Sequence, residues 1–83
     1  MKFRKKPIVI DAMEFTGTNQ FDLMRWCDSF DGYAQWRFAG NEVYIMTLEG
    51  EMRVTVGDWI IRGVKKEFYP CRPDIFAMTY EPV

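Results

Sequence analysis

The sequence predicts an α+β domain in which one helix packs on a curled, mostly antiparallel sheet of five to six short strands. Three observations predict it. Only one stretch carries a helical repeat of apolar residues; β-branched residues open the chain near Pro7; and from Tyr33 onward turn signals recur about every eight to ten residues, the rhythm of an antiparallel meander. All 83 residues form a single domain, 1–83. A chain of that length buries only about 60–65% of its unfolded surface, so its core must be rich in large side chains. Seven Phe, four Tyr and three Trp supply them.

The segment KPIVIDAMEF opens with Pro7, which suits a strand start or an edge, and continues apolar on both faces, so a largely buried first strand is expected. Thr16-Gly17-Thr18-Asn19 breaks it. Leu23, Trp26, Cys27 and Phe30 then fall at i, i+3, i+4 and i+7, one face of a helix spanning about residues 19–31. Asn19 and Asp22 resemble a capping box, and Asp31-Gly32 supplies a stop. In the meander, Met52, Val54 and Val56 alternate with Glu51, Arg53 and Thr55, whereas Trp59-Ile60-Ile61 reads as a more buried strand. Pro73 through Met78 suits one or two helical turns with proline first. Glycines at the bends would curl the strands toward a half-open barrel, and periodicity leaves closure undecided.

The net charge of −1 argues against a nucleic-acid binder, which needs a one-sided field. Basic residues gather at Lys2, Arg4, Lys5 and Lys6 and again at Arg62, Lys65, Lys66 and Arg72. The absence of histidine and the wide separation of Cys27 and Cys71 give no metal-ligand spacing. No apolar run reaches signal or membrane-spanning length, so no membrane role is expected, and free thiols in a cytoplasm follow.

Cys71, between Pro70 and Arg72, is the best nucleophile candidate, because a neighbouring guanidinium favours a thiolate; no histidine is present to act as its base. Asp58, Glu67 and Asp74 would need a cleft for acid/base hydrolysis. Gly57-Asp58 reads instead as a turn, and no nucleotide-cofactor or phosphate-loop motif is present. Arg62, Lys65, Lys66 and Arg72, interleaved with Trp59, Phe68 and Tyr69, form the strongest binding candidate. Trp59, Arg62, Lys65, Lys66, Tyr69 and Arg72 are therefore the expected contacts for a partner or an anionic ligand. No catalytic residue, metal or cofactor is expected.

The run TLEGEMRVTVGDWIIRGVKKEFYPCRPDIF, with KKPIVIDA near the start, resembles a group of small bacteriophage and prophage proteins, some with a PGDYG-type motif. Their run reads TLEGxMxxxxGDWIIxGVxGEFYPCxPDIF. Lys66 stands where that pattern has glycine, and Val56 where the PGDYG-type motif has proline. The resemblance implies a phage origin and work in the bacterial host cytoplasm, and it carries over no catalytic residue. With the aromatic surplus, it leads to the expectation of a non-catalytic accessory protein that binds a host protein, such as a defence component, or a second copy of itself. A small-molecule or nucleotide binder and a small enzyme using Cys71 are the alternatives. Apolar sheet edges lead to the expectation of a homo-oligomer.

Overall fold

The structure, a computed structural model, describes residues 1–30 and 34–83. Its elements run β1 (Asp11–Glu14), α1 (Gln20–Asp28), β2 (Trp36–Ala39), β3 (Glu42–Thr47), β4 (Gly50–Val54), β5 (Trp59–Arg62), β6 (Phe68–Cys71) and α2 (Pro73–Thr79). The α+β class holds, with two refinements. The strands divide into two antiparallel three-stranded sheets, ordered β1-β5-β6 and β2-β3-β4, that do not close into a barrel. Pro73–Thr79 form a second helix of seven residues. β6 runs beside β3 and β4, so the sheets meet there with the core between them.

α1 forms where the apolar stripe lies: Leu23 and Cys27 are fully buried, and Trp26 and Phe30 pack against them. The stripe joins Phe15, Val43, Ile45, Val54, Ile60 and Phe68 in one core cluster. The helix ends at Asp28, and the expected Asp31-Gly32 stop lies outside the described residues. Asn19 makes no side-chain cap on the helix. Its amide turns back into the preceding loop, donating to the Glu14 carbonyl at 2.7 Å and accepting the Thr16 N–H at 2.8 Å. The capping box is thus replaced by a loop clasp, because those backbone groups offer Asn19 both a donor and an acceptor.

The first strand is shorter and less buried than expected. Asp11 pairs with Arg62 at the last residue of β5, so Ile10 and everything before it has no partner strand to extend along. Residues 5–10 therefore continue as an arm without helix or strand, with Val9 80% exposed. β4 likewise ends at Val54, and Val56 enters a turn with its side chain in solvent.

Two tight turns hold the β1-β5-β6 sheet. In the first, Asp58 accepts the Thr55 N–H at 2.9 Å and the Thr55 hydroxyl at 3.0 Å, while its own N–H donates to the Thr55 carbonyl at 3.0 Å. Gly57, at φ 95°, donates to the Phe15 carbonyl, and Phe15 donates to the Asp58 carbonyl, both at 2.8 Å. The second joins β5 to β6 through Val64, Lys65 and Lys66. The Gly63 N–H bonds the Glu67 carbonyl at 2.8 Å, and Lys66 takes the left-handed conformation at φ 64°. A three-residue hairpin loop requires that conformation at its last position. For a side chain other than glycine it costs about 1–2 kcal/mol, so Lys66 carries a local backbone cost that glycine would not.

On the β2-β3-β4 sheet, register places Arg37, Tyr44 and Arg53 side by side. Arg37 grips Glu51 with two bonds of 2.7 and 2.8 Å and lies 4.1 Å over the Tyr44 ring. Arg53 approaches Glu42 at 3.7 Å. This wet face is a set of mutually paired charges.

Candidate functional site

Strand parity separates the expected contact residues. Trp59 and Ile61 share one face of β5, and their register partners Cys71 and Tyr69 share it on β6. Ile60, Arg62, Phe68 and Pro70 lie on the other face. Arg62 therefore belongs to the core side, where its guanidinium stacks 4.6 Å from the Phe30 ring centroid and its Nε is buried without a partner. Lys65 and Lys66 form the exposed hairpin tip. Arg72 lies just past the far end of β6, at the N-cap position of α2 without a side-chain cap bond, 3.6 Å from Asp74. Trp59 and Tyr69 are brought together; Arg62 and Arg72 are not brought to them.

The face carrying Trp59 and Tyr69 opens into a groove of about 870 Å³. α2 builds one wall. Phe76 stacks flat on Trp59 with centroids 4.4 Å apart and planes within 3°, and Tyr80, one helical turn on, stands 5.2 Å from Phe76. Residues 79–83 continue that wall, and residues 5–10 form another. Ala12, Gly63 and Tyr69 line the space between.

Polar groups in this groove are few. Burial, and then the neighbouring Tyr80, pushes the Tyr69 hydroxyl up to about 12, so it is a neutral donor at physiological pH. Glu67 folds its carboxylate over Gly63, where a Cβ would sit 1.8 Å from Oε1. A side chain at position 63 would therefore have to move the Glu67 carboxylate aside. The other oxygen of Glu67, Oε2, is buried with no hydrogen-bond partner. Lys5 places its Nζ 5.6 Å from the Tyr80 ring centroid, a cation over an aromatic face.

The surroundings of both thiols favour the protonated form. Burial, with Asp28 adding to it, pushes Cys27 up to about 12. Burial, followed by Asp58 and Asp74, also raises Cys71, so these effects outweigh any help from Arg72. Asp58 is tied to Thr55 and Asp74 lies beside Arg72, so the carboxylates considered for hydrolysis are held in separate interactions.

Phe76 and Tyr80 are groove residues that the sequence reading passed over, whereas Lys5 entered it only as part of a basic cluster and Glu67 only as an acid/base carboxylate. The spacing of Phe76 and Tyr80, i and i+4 on a short helix, was the available signal. No family model matches this chain, and neither does any curated protein or solved structure. Among the described residues, no helix is long and apolar enough to cross a membrane.

Proposed function

We propose that this chain is a non-catalytic binding protein, of phage or prophage origin and working in the host cytoplasm, whose groove takes an extended segment of a protein partner. Trp59 and Tyr69 are its anchors. The observation that carries this reading is the groove's construction: a ladder of Trp59, Phe76 and Tyr80 along the α2 wall, with the irregular segments 5–10 and 79–83 completing the lining. Aromatic side chains held by their neighbours give binding area at low conformational cost. The raised pKa values of both cysteines support a role other than nucleophilic catalysis.

An anionic small molecule fits this groove poorly, because apart from residues 5–10 the lining carries Glu67 and Glu81 and no basic residue. The phage and host assignments rest on the GDWIIRGVKKEFYPCRPDIF resemblance. Capture from a bacterial lysate tests the groove. Proteins retained by the wild type should be lost with Glu67→Lys and with Tyr80→Ala, and kept with Lys65→Glu/Lys66→Glu, each variant first shown folded by circular dichroism. Retention by both groove variants, with loss at the hairpin tip, would transfer the contact surface to Lys65 and Lys66.

A further inference from the structure

The arm and the rest of the chain carry opposite charge. Residues 1–10 include four basic residues and no acidic one, whereas residues 11–83 hold seven basic against twelve acidic. The groove repeats this contrast locally, with Lys5 and Lys6 on the arm wall facing a lining whose charges are Glu67 and Glu81. Among the described residues Lys5 and Lys6 form no ion pair, and no backbone hydrogen bond ties residues 1–10 to the body. Ile8 and Val9 remain 48% and 80% exposed. The arm thus lies along the groove without satisfying it.

We propose that two copies of this chain associate by exchanging arms, residues 5–10 of each lying in the groove of the other. The inference rests on the groove reading above. Glu67 Oε2, buried and without a partner, is an acceptor waiting for a cation, and an incoming lysine ammonium is the cation the arm carries. The position of Lys5 over Tyr80 shows that the rim accepts an ammonium. Pro7 has no N–H to leave unpaired, so an extended passage through the groove leaves one fewer donor unsatisfied. The arm departs from β1 at a single point, Ile10 to Asp11, which fixes its register within one chain; an arm from a second chain is free of that link and can set a lysine at Glu67, and reciprocity closes the dimer.

Light scattering on chains of 9.9 kDa gives the test. At about 100 μM the wild type should be a dimer, while Lys5→Glu/Lys6→Glu and Glu67→Lys should each be monomeric, with dissociation constants raised at least about tenfold. An equimolar mixture of the two variants should form a heterodimer, because each arm then meets a groove of opposite charge; this recovery excludes misfolding as the cause of the losses. A monomeric wild type overturns the exchange, as does a dimeric wild type whose variants remain dimeric or fail to recover on mixing. A labelled peptide MKFRKKPIVI separates the two readings. Its binding to the Lys5→Glu/Lys6→Glu chain, beside a monomeric wild type, sinks arm exchange alone. Absence of binding removes the groove reading with it.

Discussion

Phe68→Ala should cost about 3–5 kcal/mol, the range for deleting a buried aromatic ring from a core. Phe68 is 4% exposed and sits edge-on to Trp26 at 5.8 Å, with Phe30 at 6.1 Å. Through Trp26 it joins β6 to α1. Its loss also leaves Phe30, and the Arg62 guanidinium stacked on it, without support. Because a domain of this kind is stable by only about 5–15 kcal/mol, the variant should lose a large part of its stability. Tyr69, the next residue, faces the groove, so the groove should be lost together with the core. Urea unfolding followed by tryptophan fluorescence measures the effect, with Phe68→Leu expected to cost less than half as much. A loss below about 1.5 kcal/mol for the alanine variant would mean that the core closes without this ring.

Asp58→Ala should be the most damaging polar substitution, at about 2–3 kcal/mol. The Asp58 residue is 6% exposed, and its carboxylate bonds both the N–H and the hydroxyl of Thr55. Hydrogen bonds to a charged acceptor are worth more than neutral ones. The same turn presents Gly57 and Asp58 to Phe15, so its collapse would free the end of β1 as well. Asp58→Asn retains an acceptor of the same shape and should cost about half as much. Equal losses for the two variants in urea unfolding would show that charge, and not the bonding geometry, holds the turn.

Legibility in the sequence followed how local the determinants were. The 3.6-residue spacing of Leu23, Trp26, Cys27 and Phe30 was enough to locate α1, because that stripe is a property of the segment itself. Proline at the start of α2 was equally local. The first strand was misjudged because its length is set by its partner: Ile8, Val9 and Ile10 have strand propensity, but β5 stops at Arg62 where Gly63 begins the turn. The basic and aromatic cluster looked like one surface because it is dense along the chain. Trp59 and Arg62 are three residues apart on one strand, an odd separation that puts them on opposite faces. The groove was the least legible feature, since it joins residues 5–10 to residues 79–83, and no short-range pattern records that approach.

The most direct measurement uses the three indole N–H signals of Trp26, Trp36 and Trp59 in a nitrogen–proton correlation spectrum of the Lys5→Glu/Lys6→Glu chain. Trp26 and Trp36 pack against the core cluster, whereas Trp59 lines the groove. Addition of the peptide MKFRKKPIVI should move the Trp59 signal in a saturable way and leave those of Trp26 and Trp36 in place. A Trp59 signal that stays fixed at saturating peptide, or a shift confined to Trp26 or Trp36, would contradict binding in the groove.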